Sequence, residues 1–240
     1  MVLCVWTLAV LVFAPPPFIF PGPWRVAEAL WEQRSMLASN AAITLTEILL
    51  GLLFGTLLGV ATALLANASP FARRNIMPLV SASQALPVFA IAPMLILWFG
   101  LGMGSKIAMA TIIIYFPVAS AFSDGLQRTD RSFVDLARLY GATRFQTLWK
   151  VRLPAALPAF ASGLRVATTV APIGAIVGEW VGASGGIGYV INQANARMQT
   201  DTVFAGLVVL VAMVLVLRLI VDTVLDRLIF WMPETDRAAF

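Results

Sequence analysis

The composition of this 240-residue chain is that of a protein that lies in lipid, because 60% of its residues are apolar and 12% are charged, against roughly 45–50% and about 25% in soluble domains. The net charge of +4 is carried by basic residues in loops between apolar runs, which indicates membrane orientation rather than nucleic-acid binding. With Cys4 as the single cysteine and no histidine, the chain cannot assemble a disulfide framework or an ordinary His/Cys metal site.

The first apolar run, residues 2–14, is short for a membrane span, which needs roughly 20 residues. It lacks a basic start and an A-x-A cleavage site, so a signal peptide fits poorly. We interpret it as a first span that is either shortened by the choice of start codon or crosses with little tilt. Residues 15–23 are rich in proline and lack too many backbone donors for a regular helix. We expect an extended outer segment there, followed by a short amphipathic helix near residues 24–37.

Five longer apolar windows follow along the chain, and with the first run they give six predicted spans. They cover residues 43–66, 79–99, 107–122, 163–181 and 203–225. Each unpaired backbone group in hydrocarbon costs several kcal/mol, and the alternating pattern of barrel strands is not seen, so the spans should be helices. The predicted fold class is therefore an all-α polytopic membrane protein, with residues 1–240 forming one transmembrane domain.

The positive charges predict which loops face the cytoplasm. Basic residues are concentrated in the loop 67–78 and in the long loop 124–162, whereas those in the alternate loops are fewer or stand beside acidic residues. The positive-inside rule then places both termini in the cytoplasm.

The long cytoplasmic loop predicts two short helices joined by a corner. Ser132 and Asp135 have the spacing of a capping box, which predicts a helix start. Gly141 is the type of residue that ends a helix in the left-handed conformation. Thr143 and Gln146 have the spacing of a second capping box, so a new helix should begin directly after the corner.

The two predicted helices carry further signals. Pro154 and Pro158 lack backbone donors, so we expect the second helix to end or kink near them before the fifth span. Four apolar residues at helical spacing form one face of the first helix: Phe133, Leu136, Ala137 and Tyr140. This face must be buried against the chain's own membrane helices or against a partner, and the spacing alone leaves both open.

The same loop resembles the E-A-A-x3-G-x9-I-x-L-P signature of binding-protein-dependent ABC importer permeases. Every spacing is met, with Asp for Glu, Leu for the first Ala and Val for Ile. The matching residues are Asp135, Leu136, Ala137, Gly141, Val151, Leu153 and Pro154. Residues 84–93, QALPVFAIAP, followed by Trp98-Phe99-Gly100, resemble the permeases of the sulfonate, nitrate, taurine and thiamine-pyrimidine branch. The resemblance extends over about residues 21–231.

The resemblance implies a type I ABC importer permease in the bacterial inner membrane, whose helix pair docks on a separate ATPase. It assigns eight residues to this coupling: Asp135, Leu136, Ala137, Gly141, Ala142, Thr143, Leu153 and Pro154. ATP and Mg would be bound by the ATPase, with no cofactor in this chain. The implied partners are a second permease copy in a homodimer, a cytoplasmic ABC ATPase dimer, a periplasmic substrate-binding protein and membrane lipid, with no nucleic acid.

By the same resemblance the fifth span lines the translocation path. The residues assigned to this path are Gln84, Pro172 and Glu179, and for Glu179 the alternative is a helix-end carboxylate at the outer surface. Glu47 is expected one turn inside the outer end of the second span, either at a solvated edge or with a partner across the bundle. The polar segment 192–201 should face outward, where a periplasmic binding protein would meet it.

Two groups of residues at four-residue spacing predict packing rather than chemistry. Gly51, Gly55 and Gly59 form a small-residue ridge that favours close helix packing. Arg218, Asp222 and Asp226 should pair along the last span, and Arg165 should lie at the inner interface.

The sequence does not predict an enzyme. Residues 100–107, GLGMGSKI, come nearest to a phosphate-binding loop, but Ser105 separates the glycine from Lys106 and no Ser or Thr follows the lysine. We interpret this segment as a turn between spans. No nucleophile elbow or metal-ligand cluster is found.

The predicted function is the permease subunit of an ATP-driven importer of a small organic solute. Residues 192–206 resemble the thiamine-pyrimidine precursor group somewhat more than the sulfonate, taurine or nitrate groups, which stay open. A secondary transporter should show ion-coupling carboxylates or inverted repeats, and neither is clear. A structural membrane scaffold would leave the two capped helices without a role.

Overall fold

The computed structural model describes residues 2–85 and 87–231, most of them in helices, and no strand occurs among them. The helices are α1 (Val2–Phe13), α2 (Pro23–Glu32), α3 (Arg34–Ala68), α4 (Pro70–Ala85), α5 (Val88–Phe99), α6 (Met103–Gln127), α7 (Arg131–Leu139), α8 (Arg144–Thr147), α9 (Leu153–Gly182), α10 (Ile187–Ala196) and α11 (Thr200–Leu228). The all-α fold class is confirmed. Leu86 of the QALPVFAIAP pattern and the tail beyond residue 231 lie outside the described residues.

In the part of the chain that is described, four helical segments are long and apolar enough to cross a membrane. They are α3, α6, the stretch Arg144–Gly182 that contains α8 and α9, and α11. The predicted window 79–99 is broken: α4 and α5 form a fifth candidate only as a sharply bent pair, and Pro87 stands at the start of α5 in extended conformation. The twelve residues of α1 rise about 18 Å, too short for a hydrocarbon layer of about 30 Å.

The centre of the bundle is formed by α3, α6 and α9, with α6 packed between the other two. The predicted glycine ridge lies at the contact between α3 and α6. A Cβ atom placed on Gly51 would come within 2.5 Å of Ala110, and one on Gly55 within 2.6 Å of Ile114. The prediction of close helix packing along this ridge is confirmed.

Of the two expectations for the helix that contains α8 and α9, an end at Pro154 or Pro158 is wrong, and a kink stays a prediction. A π-helical turn, Leu148–Arg152, joins the two segments, and the Leu153 N–H donates to the Leu148 carbonyl across five residues. Pro154 then occupies one of the first two positions of α9, where a missing N–H is tolerated. The change of hydrogen-bond register therefore accommodates the proline without breaking the helix.

Charged residues connect α9 to α11. The Arg165 guanidinium forms ion pairs with Asp222 and Asp226, each at 2.9 Å. Arg218 Nε also lies 3.6 Å from Asp222 Oδ2, which confirms the predicted pairing along α11 for these two residues, whereas Asp226 pairs with Arg165 of α9. The contact of Arg165 with both aspartates was not predicted.

The amphipathic helix expected near residues 24–37 is shorter than predicted. It ends as α2 at Glu32, and Arg34 begins the first turn of α3. The proline-rich residues before Pro23 are outside any regular helix, as expected, but residues 17–19 form a turn and not an extended segment.

Candidate functional site

The first short helix after α6 begins two residues earlier than predicted. Asp130 is the N-cap of α7, and its Oδ1 accepts the Ser132 N–H at 2.9 Å. This hydrogen bond lowers the pKa of the Asp130 carboxyl group, because it favours the charged form. The predicted box of Ser132 and Asp135 is therefore wrong. Both Asp and Ser are good caps, and a carboxylate also interacts favourably with the helix dipole.

The corner after α7 is a Schellman motif, as Gly141 predicts. Gly141 has φ of +76°, its N–H donates to the Arg138 carbonyl, and the Ala142 N–H donates to the Ala137 carbonyl, both at 2.9 Å. This positive φ is readily adopted by glycine and costs most other residues strain. The corner therefore sets the direction in which α8 leaves α7.

The second predicted capping box is confirmed. The Gln146 N–H donates to Thr143 Oγ1 at 3.2 Å, and the Thr143 N–H donates to Gln146 Oε1 at 2.9 Å. The reciprocal bonds begin α8 two residues after the Gly141 corner.

The apolar face of α7 is not buried against the chain's own membrane helices. Phe133 is 60% exposed, Leu136 is half exposed and Tyr140 is 84% exposed. Val134, which lies on the other side of the helix, is the buried residue, at 6%. Of the two alternatives that the sequence left open, packing of this face on the described membrane helices is wrong.

Two clefts of about 660 and 680 Å³ lie beside α7. Arg73, Arg138 and Arg152 line both of them. The acidic residue among the lining residues is Asp135, 3.4 Å from Arg138, and the described carboxylates lie more than 4 Å from Arg73 and Arg152. The clefts therefore present an excess of positive charge next to the exposed apolar face.

A second polar site lies at the opposite end of the bundle, near the start of α3. Glu179, in α9, is 1% exposed, and Thr44 donates to its Oε1 at 2.6 Å. The backbone N–H groups of Gly188 and Tyr189 donate to its Oε2. Glu179 is thus a buried acceptor of three hydrogen bonds, and its alternative interpretation as a carboxylate at the outer surface is wrong.

Glu47 is also 1% exposed and lies more than three turns after the start of α3. Its Oε2 has no hydrogen-bond partner among the described residues. Of the two expectations for Glu47, a solvated edge is wrong, and a partner across the bundle stays a prediction.

The other two residues assigned to the path lie apart from this site. Pro172 is buried in α9, two turns before Glu179. Gln84 is exposed near the end of α4. The role of all three residues in a path stays a prediction.

Residues 100–102 form the turn between α5 and α6, and residues 103–107 are the first residues of α6. Gly100 ends α5 with φ of +78°, and α6 begins at Met103. The Lys106 ammonium donates to the carbonyl oxygens of Leu101, Gly102 and Gly182. The lysine therefore holds this turn to the end of α9 and is not presented to a phosphate. No cluster of three possible metal ligands occurs among the described residues.

The sequence model of the binding-protein-dependent transport system inner membrane component family matches residues 51–232. The chain belongs to this family. A probable ABC transporter permease protein of Haemophilus influenzae is 50% identical over 228 residues, covering 95% of this chain and 93% of its own. The formylaminopyrimidine transport permease protein ThiX of Halalkalibacterium halodurans is 33% identical over 211 residues, covering 88% and 84%. Other relatives are named for riboflavin and taurine transport, each at 31% identity.

The fold of this permease is also that of a solved transporter chain. A chain from the inward-facing conformations of the MetNI methionine ABC transporter matches with a TM-score of 0.71 and 20% identity, covering 82% of this permease and 97% of that chain. The family and the fold confirm a multi-pass ABC importer permease, whose family works with an ATPase and a substrate-binding protein. They also confirm the prediction that the chain is a transport subunit and not an enzyme.

Proposed function

We propose that the permease docks on its ATPase through α7 and the Gly141 corner. The observation that carries this proposal is the exposed apolar face of α7, with Phe133 and Tyr140 open to solvent. Burying one such side chain contributes about 1.5–3 kcal/mol, so a groove on a partner would stabilise the contact. The arginines of the two adjacent clefts suit acidic groups around such a groove.

The residues of this contact divide into two sets. Those at the tip of the helix pair would meet the ATPase: Asp135, Leu136, Ala137, Gly141, Ala142 and Thr143. Leu153 and Pro154 lie at the base, where the π turn continues into α9. ATP and Mg would be bound by the ATPase, with no cofactor held by this chain.

The long helix would transmit motion from the ATPase to the membrane. The helical segment Arg144–Gly182 has 39 residues, which corresponds to about 58 Å. A ligand moves an equilibrium between two states only through its different affinity for them. We infer that ATP favours the arrangement in which two α7 helices approach each other, and that α9 moves with them.

The orientation and assembly follow from the same proposal. The α7 end would face the cytoplasm, as the basic residues of loop 124–162 favour, and both termini would be cytoplasmic. Two copies would enclose one path and present two helix pairs to an ATPase dimer. The many exposed apolar side chains of α3, α5 and α11 are available to lipid and to the second copy.

For the solute we favour a thiamine-pyrimidine precursor. The sequence of residues 192–206 and the 33% identity to the formylaminopyrimidine permease support this proposal. Sulfonate, taurine or nitrate is the alternative, since the taurine permease is nearly as similar. Titration of the cognate binding protein with formylaminopyrimidine and with taurine distinguishes them. Binding of taurine alone would overturn the preference.

The docking proposal is tested with Phe133→Ser and Leu136→Ser together. We expect affinity for the purified ATPase to fall at least about tenfold, since each lost contact is worth about 1.5–3 kcal/mol. Uptake into proteoliposomes with the ATPase and the binding protein should fall in parallel. Phe18→Ser, an exposed apolar residue far from α7 along the chain, is the control.

Two results would contradict the proposal. Unchanged affinity in the double variant would show that α7 is not the contact. Uptake by the wild-type permease without any ATPase would favour a secondary transporter.

A further inference from the structure

The first backbone amides of α10 are all bound by side chains from other helices. A helix normally leaves four N–H groups at its start without intrahelical partners. Here two consecutive amides donate to α3 and the next two donate to α9. The donors are Gly186, Ile187, Gly188 and Tyr189, and the acceptors are Asn40, Thr44 and Glu179. We call these seven residues the α10 anchor.

The distances within the α10 anchor show a close fit. Asn40 Oδ1 accepts the Gly186 N–H and Thr44 Oγ1 accepts the Ile187 N–H, both at 2.8 Å. A Cβ atom on Gly186 or Gly188 would overlap the Glu179 carboxylate. Glycine at these two positions therefore lets the backbone approach the carboxylate closely.

Glu47 adds a second carboxyl group next to the α10 anchor. The residue is 1% exposed, and its Oε2 is buried without a hydrogen-bond partner among the described residues. Glu47 on α3 faces Glu179 on α9, and the further charged side chain that faces both of them is Lys106 on α6. The α10 helix contributes backbone amides. Lys106 is 3% exposed and donates to three carbonyl oxygens, and no ion pair within 4 Å joins it to a described carboxylate.

These contacts assign different roles to the two carboxyl groups. Glu179 receives three hydrogen bonds from donors within the chain. An ionised Glu47 would be a buried, unpaired charge, which is costly. A protonated Glu47 avoids this cost.

We infer that Glu47 is protonated, and that the α10 anchor, which is centred on Glu179, is a positioning device that holds α10 to α3 and α9. The inference concerns the chain alone. Its consequence for transport rests on the proposed function: the outward segment 192–201, where the binding protein would dock, begins within the second half of α10. Docking at that segment is then transmitted to α9, whose other end continues into α8 and the corner after α7.

The proton is tested on the purified permease without partners. The infrared spectrum of the wild type at neutral pH should contain the carbonyl band of a protonated, buried carboxylic acid. Glu47→Gln should remove this band, and Asp135→Asn, at an exposed carboxylate, should leave it. Absence of the band in the wild type, or its persistence in Glu47→Gln, would overturn the inference.

The positioning role is tested with a matched pair of threonines on α3. Thr44 is buried and bonded to Glu179, whereas Thr46 is exposed and donates to the Ala42 carbonyl of its own helix. Thr44→Val and Glu179→Gln should lower stimulation of the ATPase by the loaded binding protein about tenfold, a coupling change of typical size. Thr46→Val should not.

The readout that separates positioning from general stability is the basal ATPase rate of the assembled complex. It should be retained in Thr44→Val while stimulation is lost. Equal stimulation in Thr44→Val and Thr46→Val would overturn the positioning role. A wild-type complex that shows no stimulation at all would instead overturn the proposed function, and the infrared result would be unaffected.

Discussion

The two ends of α9 differ in how many of their polar and apolar side chains find partners within the chain. At the α10 end, Glu179 is almost fully buried and receives three hydrogen bonds from within the chain. At the α7 end, Phe133 and Tyr140 are exposed and Arg152 has no carboxylate partner among the described residues. The first end is complete within one chain. The second leaves apolar side chains exposed and an arginine without a carboxylate partner among the described residues.

The largest effect is expected from Gly141→Pro, at the α7 end. Proline cannot adopt the φ of +76° observed here and lacks the N–H that bonds to Arg138. ATP-coupled uptake in proteoliposomes should fall to background, while membrane insertion, measured by fractionation, stays intact. Gly141→Asn should retain most activity because asparagine tolerates this region. Normal uptake by the proline variant would show that the corner is not needed for coupling.

At the α10 end, Gly186→Ala should destabilise the permease itself. Gly186 has φ of +106° and ψ of 163°, a region essentially confined to glycine, and a Cβ atom there would overlap Glu179. Strain and overpacking together should cost about 2–5 kcal/mol, measured by unfolding in detergent. Gly102→Ala is the matched control, because a Cβ there meets no atom within 4 Å. Equal stability of the two variants would contradict the described packing.

A smaller effect is expected from Arg165→Ala, midway between the two ends. Arg165 is 18% exposed and pairs with Asp222 and Asp226, so its loss should cost about 1–2 kcal/mol after allowing for their partial exposure. Arg218→Ala, at the longer and more exposed pair, should cost less than about 0.5 kcal/mol. Unfolding in detergent measures both, and the reverse order would mean that the α9–α11 pairs do not form.

The smallest effect is expected from Asp130→Ala, which removes the cap of α7. The pKa of Asp130 is lowered in the folded chain from an ordinary value of 3.8. Its stabilisation is therefore present above that value and is lost as the pH falls through the lowered pKa. Hydrogen exchange of the α7 amides should be faster in the variant at neutral pH and equal to the wild type in strong acid. A difference that persists in acid would contradict this assignment.

Features that follow from local rules could be predicted from the sequence. The Gly141 corner and the Thr143–Gln146 box depend on residues within a few positions of each other, and both were found. The N-cap of α7 was predicted at Ser132 and lies at Asp130, because both residue types are favoured at N-cap positions. The π turn depends on how the chain meets the bundle and has no local signal except Pro154.

The α10 anchor could not be predicted because its members are far apart in the sequence. Thr44 and Glu179 are separated by 135 positions, and Asn40 and Gly186 by 146. One signal was available: Asn40, Thr44 and Glu47 recur at spacings of four and three, which places polar groups on one face of an apolar helix. Such a face in lipid requires a polar partner, although the sequence does not say which one.

The π turn between α8 and α9 also shows how the loss of one residue in a relative could change the direction of the helices before it. Each residue of an α-helix advances the chain by about 100° around the axis, and a π turn corresponds to one inserted residue. Deleting a single residue from Leu148–Arg152 would leave a continuous helix but rotate everything before it by about that angle. The direction in which α7 and α8 leave the bundle is therefore set by one residue of chain length.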